Sequence, residues 1–236
     1  MDTYRYTATA LARRRREPYV GVVYYAEPPH GRVPPRWDVQ VFSRASALRA
    51  WYGETLASPA SYYVAAFDKT RGPQPVGEWT APVIEPEIAV HLARDVGPGA
   101  SWDEVRAAIR GLSAAIELAD VDTPPADPEA ILAGNIFHRH VILGPVVEGR
   151  SQAAGVTGRL LRDGEEVAAT DAPETLTGEL IEVVRLTAEL LEAAGERLRA
   201  GDVVITGSVV APLAVAGGQR LRAELAGLGA LTVALV

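Results

Sequence analysis

The segment VIEPEIAVHLARD, residues 83–95, constrains the chain more than any other stretch. In an extended strand side chains alternate with a period of two, so Val83, Glu85, Glu87, Ala89 and His91 share one face. Ile84, Pro86, Ile88, Val90 and Leu92 share the other. A strand this apolar on one side has to be covered there, which calls for a sheet packed on a core. The opposite side holds two carboxylates next to each other. They repel, and they persist as anions only where water, a cationic side chain or a metal ion neutralises them. A second strand-like run, LSAAIELAD, sets Glu117 beside Ala115 and Ala119 on one face, with Ile116 and Leu118 on the other. Three carboxylates can close around one hard divalent cation, and Mg²⁺ or Mn²⁺ suits an all-oxygen set that leaves positions open for a bidentate substrate. A half-solvated sheet shows the same alternation. Spacing alone leaves both readings open.

At 236 residues the chain can bury one substantial core and carry an appendage. Its 30 acidic residues outnumber 23 basic ones, for a formal net charge of -7. That balance argues against nucleic acid as the main partner, because phosphate binding needs a basic field. Small anionic substrates remain compatible, since a metal ion supplies positive charge locally. The absence of cysteine removes disulfides, thiolate nucleophiles and cysteine metal sites together. No apolar run approaches the length of a membrane span, and the first residues lack the apolar core of a signal peptide. The expectation is a cytoplasmic protein without a membrane partner. All but one of the basic residues are arginine, which leaves Lys69 as a single, easily tested lysine.

Along the chain, 7–16 suits a short helix ended before Pro18, and 19–26 reads as a strand. A second helix is expected through RWDVQVFSRASALRAWYGETLA, residues 36–57, and a strand at SYYVAAF, 61–67. Ser101 precedes Glu104 by three, the spacing of a capping box at the start of a helix. A short helix is expected to end near Gly134. IFHRHVILG, 136–144, is strand-like and places His138 and His140 on one face. GVTGRLLRDGEEVAAT reads as a hairpin turning at Asp163-Gly164. A long helix is expected from Pro173 to Gly195, with Leu180, Val183, Val184, Thr187, Leu190, Leu191 and Ala194 in one stripe and Asp171 with Glu174 as its capping box. Three strands separated by glycines close the chain.

With these motifs in order, the segment from Pro82 onward resembles the fumarylacetoacetate hydrolase superfamily, within it the 2-hydroxypentadienoate hydratase and 4-oxalocrotonate decarboxylase branch. PVIEPEIAVHLARDV resembles the family's Glu-x-Glu metal strand, and AAIELAD the strand that donates its third acidic ligand. AGNIFHRHVILGP is similar to its Asp-Asn-Ala-Ser segment, with Asn135 on the asparagine. AGDVVITGSVVAPLAVAGGQRLRAELAGLGALTVALV is similar to its C-terminal Gly-Asp-x-x-x-x-Gly-Ser run. The resemblance implies an α+β fold: a mixed, rolled β-sheet with flanking helices in residues 81–236, and a small N-terminal α/β appendage in 1–80. It implies Mg²⁺ or Mn²⁺ on Glu85, Glu87 and Glu117, holding an α-keto acid and stabilising an enolate as a Lewis acid. It places Asn135, Thr206, Gly207 and Ser208 near the substrate, and it implies a homo-oligomer or a pairing with a homologue.

The chain departs from the pattern in one respect that bears on mechanism. SYYVAAF falls where the family has a Gly-Tyr-Lys strand, so Val64 stands at the position of an acid/base lysine, and the loop that covers the substrate in relatives is largely missing before Pro82. Lys69, His91 and His138 are the remaining acid/base candidates. Hydration of a dienoate needs a placed proton donor, whereas decarboxylation or keto-enol isomerisation leans on the metal. The expected activity is therefore that of a metal-dependent lyase, a decarboxylase or hydratase, acting on a small 2-oxo or 2-hydroxy-dienoic acid. A tautomerase of the same superfamily and an inactive scaffold paralogue are the alternatives.

Overall fold

The computed structural model describes residues 76–77, 79–122, 137–193 and 197–236, together with four earlier strands. Those strands are β1 (Tyr24–Tyr25), β2 (Arg36–Phe42), β3 (Ala47–Gly53) and β4 (Ser61–Val64). The segment expected to be helical from residue 36 is instead the hairpin β2–β3, paired from Arg36↔Gly53 to Phe42↔Ala47. Its sequence explains the difference. Trp37, Val39 and Val41 alternate with Arg36, Asp38 and Gln40, and β-branched and aromatic residues in that pattern favour a pleated surface.

Two long strands form the centre of the molecule. β5 (Pro82–Leu92) and β6 (Ile109–Asp120) pair along nearly their whole length, joined through the helix α1 (Trp102–Ala108). Ser101 caps α1 as the sequence indicates: its hydroxyl accepts the Glu104 N–H while the Glu104 carboxylate accepts the Ser101 N–H at 2.8 Å. β7 (His138–Leu143) and β8 (Val147–Glu148) pair with β6. β9 (Gly158–Arg162) and β10 (Glu165–Thr170) form the hairpin at Asp163-Gly164, where both residues take positive φ, 53° and 92°. An Asp-Gly pair supplies that geometry at little steric cost.

The helix α2 (Leu180–Ala193) starts seven residues later than Pro173. Residues 172–178 turn instead, and the Glu174 carboxylate accepts the Leu180 N–H at 2.9 Å, so the cap acts from six residues upstream. The anticipated stripe is buried at Leu180, Val183, Val184, Thr187 and Leu191. β11 (Val203–Ser208), β12 (Leu213–Ala214), β13 (Arg220–Leu225) and β14 (Gly229–Ala234) complete the chain.

The strands assemble into a large sheet, ordered β1-β4-β11-β5-β6-β7 with β12 also paired to β5 and β8 to β6, a second sheet β10-β9-β13-β14, and the β2–β3 hairpin. The architecture is the sheet-dominated α+β fold expected. Where a mixed sheet was anticipated, every pairing among the described strands is antiparallel. β1 and β4, which precede the boundary anticipated at residue 80, are strands of the same large sheet. One face of that sheet is covered along β5, β6 and β11. Ile84, Ile116 and Leu118 pack against Leu160, Leu221 and Val233 of the second sheet, and Ile88, Val90, Leu112 and Val204 pack against α1 and α2. The carboxylates lie on the other face. No helix among the described residues is long and apolar enough to cross a membrane.

Candidate metal centre

The β5–β6 register places Glu85 directly across from Glu117, and Glu87 across from Ala115. Directly opposed side chains in such a ladder meet, and diagonal ones come within reach. The methyl group of Ala115 leaves Glu87 room to lean toward Glu117. One carboxylate oxygen from each of Glu85, Glu87 and Glu117 lies within 4.8 Å of the others. Glu87 and Glu117 are completely buried, while Glu85 keeps an edge open to the surface. Next to them on the same face, Ala89, Ala115, Val141 and Ile205 form a small apolar patch.

The flanking strands both depart from regular pairing beside the cluster. On β11 the register moves from Ile205↔Ala89 to Ser208↔Glu87, three residues against two, with Gly207 at φ 88°. This bulge turns the Gly207 N–H out of the ladder and onto Glu87 Oε2, at 2.7 Å. A glycine is needed there because a Cβ disfavours positive φ. On β7 the register moves from Leu118↔His140 to Ala119↔His138, one residue against two. The extra residue, Arg139, puts the two histidines on opposite faces, which corrects the expectation that they share one. His138 joins the carboxylate face, its Nδ1 2.6 Å from Glu117 Oε1. His140 stacks on Trp79 over the packed face, with ring centroids 5.7 Å apart.

The electrostatics of the cluster follow from burial and like charge. Burial pushes the Glu85 carboxyl up to about 7. Glu87 is raised well above the usual carboxylate range by burial first and then by the charges of Glu117 and Glu85. Glu117 is raised by burial and by Glu85. With the carboxyls ionised, neither Glu87 Oε1 nor Glu117 Oε2 has a hydrogen-bond donor among the described residues; a proton on Glu87 would let the two side chains bond to each other, which is one cause of its raised value. Buried oxygens of this kind are costly unless something else satisfies them. Three carboxylates with two unpartnered oxygens fit a hard divalent cation, which removes the repulsion and the missing partners together.

The remaining candidates are dispersed. The Thr206 hydroxyl donates to the Ile88 carbonyl at 3.0 Å and the Ser208 hydroxyl to the Pro86 carbonyl at 3.5 Å, so both bind β5. His91 shares the carboxylate face but sits four residues beyond Glu87, about 13 Å along a strand. Its Nε2 is 2.8 Å from the buried Ser113 hydroxyl. Burial, aided by the Arg110 charge and opposed by Glu148, brings His91 down to about 4. Lys69 and Asn135 lie outside the described residues. Sequence reasoning did not single out Ser113, although it lies four residues before Glu117 on the same face. It also passed over Asp120, whose carboxylate accepts the N–H groups of Thr80 and Ala81 at 3.2 and 2.7 Å and ties down the entry to β5.

An antiparallel sheet, packed on one face and carrying three convergent carboxylates on the other, defines a protein with a cradle for a hard divalent cation. The chain belongs to the fumarylacetoacetate hydrolase family: residues 40–236 match the family model for the Fumarylacetoacetate (FAA) hydrolase C-terminal region. It is 29% identical over 159 residues to a 4-oxalocrotonate decarboxylase of Pseudomonas putida, a match covering 66% of this chain and 60% of that enzyme's length. The structure of 4-oxalocrotonate decarboxylase from Pseudomonas putida G7, complexed with magnesium and adipate, superposes with a TM-score of 0.66 at 25% identity, over 76% of this chain and 70% of that one. The 5-carboxymethyl-2-hydroxymuconate delta-isomerase of Mycobacterium smegmatis shares the fold, with a TM-score of 0.59 at 16% identity over 76% and 70% of the two chains. These relatives are enzymes.

Proposed function

We propose that the protein is a divalent-metal-dependent lyase that decarboxylates a small 2-oxo-dienoic acid, with Glu85, Glu87 and Glu117 holding Mg²⁺ or Mn²⁺. One observation carries the reading: three carboxylates within 4.8 Å of one another, two of them fully buried and each with an oxygen that nothing in the described residues satisfies. The likeness to 4-oxalocrotonate decarboxylase supports the choice of substrate class. A divalent ion bound there supplies Lewis acidity toward the adjacent oxygens of a 2-oxo acid, drawing electron density from the carbon chain.

The chain's own groups set the conditions for that chemistry. The apolar patch of Ala89, Ala115, Val141 and Ile205 borders the buried carboxylates, and charge interactions strengthen in such surroundings. The step needs a second carboxylate, conjugated through the chain with the 2-oxo group. Its bond to the chain breaks, CO₂ departs, the electron pair moves along the chain to the 2-oxo oxygen, and a proton from water restores the neutral carbon skeleton. Hydration asks more of the protein, because a proton donor must stand at the reacting carbon. By the resemblance, Val64 stands where the family carries its lysine, His91 lies too far along its strand to reach atoms held at the carboxylates, and His138 Nδ1 is engaged by Glu117. This favours decarboxylation over hydration.

The test compares wild type with Glu87→Ala. After loading with Mn²⁺ and desalting, wild type is expected to retain metal and Glu87→Ala to retain little, by elemental analysis. Wild type should convert 2-oxo-dienoates, with loss of ultraviolet absorbance and release of CO₂ that both require Mg²⁺ or Mn²⁺, and Glu87→Ala should fall at least about 10³-fold, roughly 4 kcal/mol of barrier. Equal, negligible metal in the two proteins would sink the ligand assignment. Metal-dependent conversion without CO₂ would instead assign a hydratase or keto-enol isomerase, distinguished by whether water is added, and no turnover with retained metal would leave a binding or scaffold subunit.

A further inference from the structure

The two bulges beside the cluster act on the two fully buried carboxylates, one each. At Glu87, Oε2 accepts the N–H of Gly207 at 2.7 Å and Oε1 is unpartnered among the described residues. At Glu117, Oε1 faces Nδ1 of His138 at 2.6 Å and Oε2 is unpartnered. Where a bound cation keeps Glu117 ionised, the carboxylate only accepts and Nδ1 carries the hydrogen in that pair. The arrangement is the same on both sides of the β5–β6 ladder: an extra residue in the neighbouring strand re-aims one donor, and that donor occupies one oxygen and leaves the other without a partner among the described residues.

We propose that His138 is a positioning residue, which together with the bulged Gly207 commits Glu117 and Glu87 in advance to offer one oxygen each, Oε2 and Oε1, to the metal. The inference rests on the metal-binding reading above. Two features carry it beyond proximity. The His138 side chain is only 9% exposed and Glu117 is wholly buried, so the pair is fixed by packing rather than made and broken at a surface. The β7 bulge at Arg139 gives His138 this orientation and denies it to His140, two residues away. Donors of this kind hold ligand groups in the bound geometry before the metal arrives, and their loss typically costs about 10–100-fold in affinity.

The experiment measures Mn²⁺ affinity by calorimetry, and the Mn²⁺ electron spin echo modulation, on the full chain. His138→Leu, which removes the donor, is expected to bind Mn²⁺ about 10–100-fold more weakly than wild type. His138→Asn places an amide N–H near the lost Nδ1–H and is expected to recover affinity to within about threefold. His140→Leu, on the packed face, is expected to leave affinity unchanged even where it lowers the melting temperature, so loss of stability alone does not imitate the effect. Wild type itself should show no directly bound nitrogen in the echo modulation, because His138 meets the ion only through Glu117. His138→Leu binding Mn²⁺ as tightly as wild type would overturn the proposal, and so would a directly coordinated nitrogen, a result that needs no variant to fold. Wild type failing to bind Mn²⁺ would overturn the metal reading beneath it, a separate outcome.

Discussion

The two faces of the β5–β6 ladder share one set of backbone hydrogen bonds and differ in everything else. On one, Ile84, Ile116 and Leu118 are fully buried against the second sheet. On the other, at alternate positions of the same strands, Glu85, Glu87 and Glu117 crowd together with oxygens that nothing in the described residues satisfies. The packed face supplies the free energy that the carboxylate face consumes. A sheet with period two can therefore keep a repulsive, desolvated cluster in place, because each strained side chain is flanked in sequence by two that are well packed.

The largest effect is expected where that support is cut. Ile116→Ala removes a fully buried side chain between the two sheets, and should cost about 3–4 kcal/mol by denaturant unfolding. The Mn²⁺ affinity of the molecules that remain folded should stay within about twofold of wild type. An equal loss of affinity would show that the two faces are not separable. The opposite swap sharpens the contrast. Glu87→Gln keeps an oxygen for the Gly207 N–H and removes one charge from the cluster. The folded carboxyls are raised above their unfolded values, so metal-free wild type binds extra protons when folded and loses stability as pH rises from about 4.5 through 7. At pH 8 without metal, Glu87→Gln should be more stable than wild type by about 1–3 kcal/mol. With saturating Mn²⁺ the order should invert, and a variant less stable than wild type in both states would refute the claim that the cluster is destabilising.

The faces were legible in the sequence because alternation is a local property. Glu85, Glu87 and Glu117 fall where a period of two puts them, and so do Ile84, Ile88, Ile116 and Leu118. What alternation cannot encode is an extra residue in a neighbouring strand. FHRHV reads as continuous, yet Arg139 shifts the phase and separates His138 from His140, and nothing in the strand-like run ending in TGS at 206–208 marks its bulge. Both bulges exist only relative to a partner strand, so no window of sequence contains them. The hairpin at 36–53 resembles a helix in its sequence for a different reason. Its Ala, Leu and Arg content suits a helix, while the alternation of Trp37, Val39 and Val41 is decided by pairing with β3. The late start of α2 follows from Glu174 capping at a distance of six residues, beyond the spacing of a standard capping box.

The smallest effect belongs to the far end of the carboxylate face, where burial acts on a group of opposite chemistry. The His91 ring is half-buried, bonded to Ser113 and lowered to about 4, against about 6.5 when the chain is unfolded. As pH falls below 6.5 the unfolded chain takes up this proton while the folded one resists, so His91 contributes stability above pH 6.5 that is lost toward pH 4. The carboxylates move the other way in the same range, and the wild-type profile alone cannot separate them. His91→Gln does, because the amide can still meet the Ser113 hydroxyl but does not titrate. The two proteins should match at pH 7.5. At pH 5 the variant should be more stable by about 1 kcal/mol, half the full linkage value because the ring is partly solvated. Parallel stability profiles between pH 7.5 and 5 would mean that His91 titrates freely and that burial on this face weighs only on the acids.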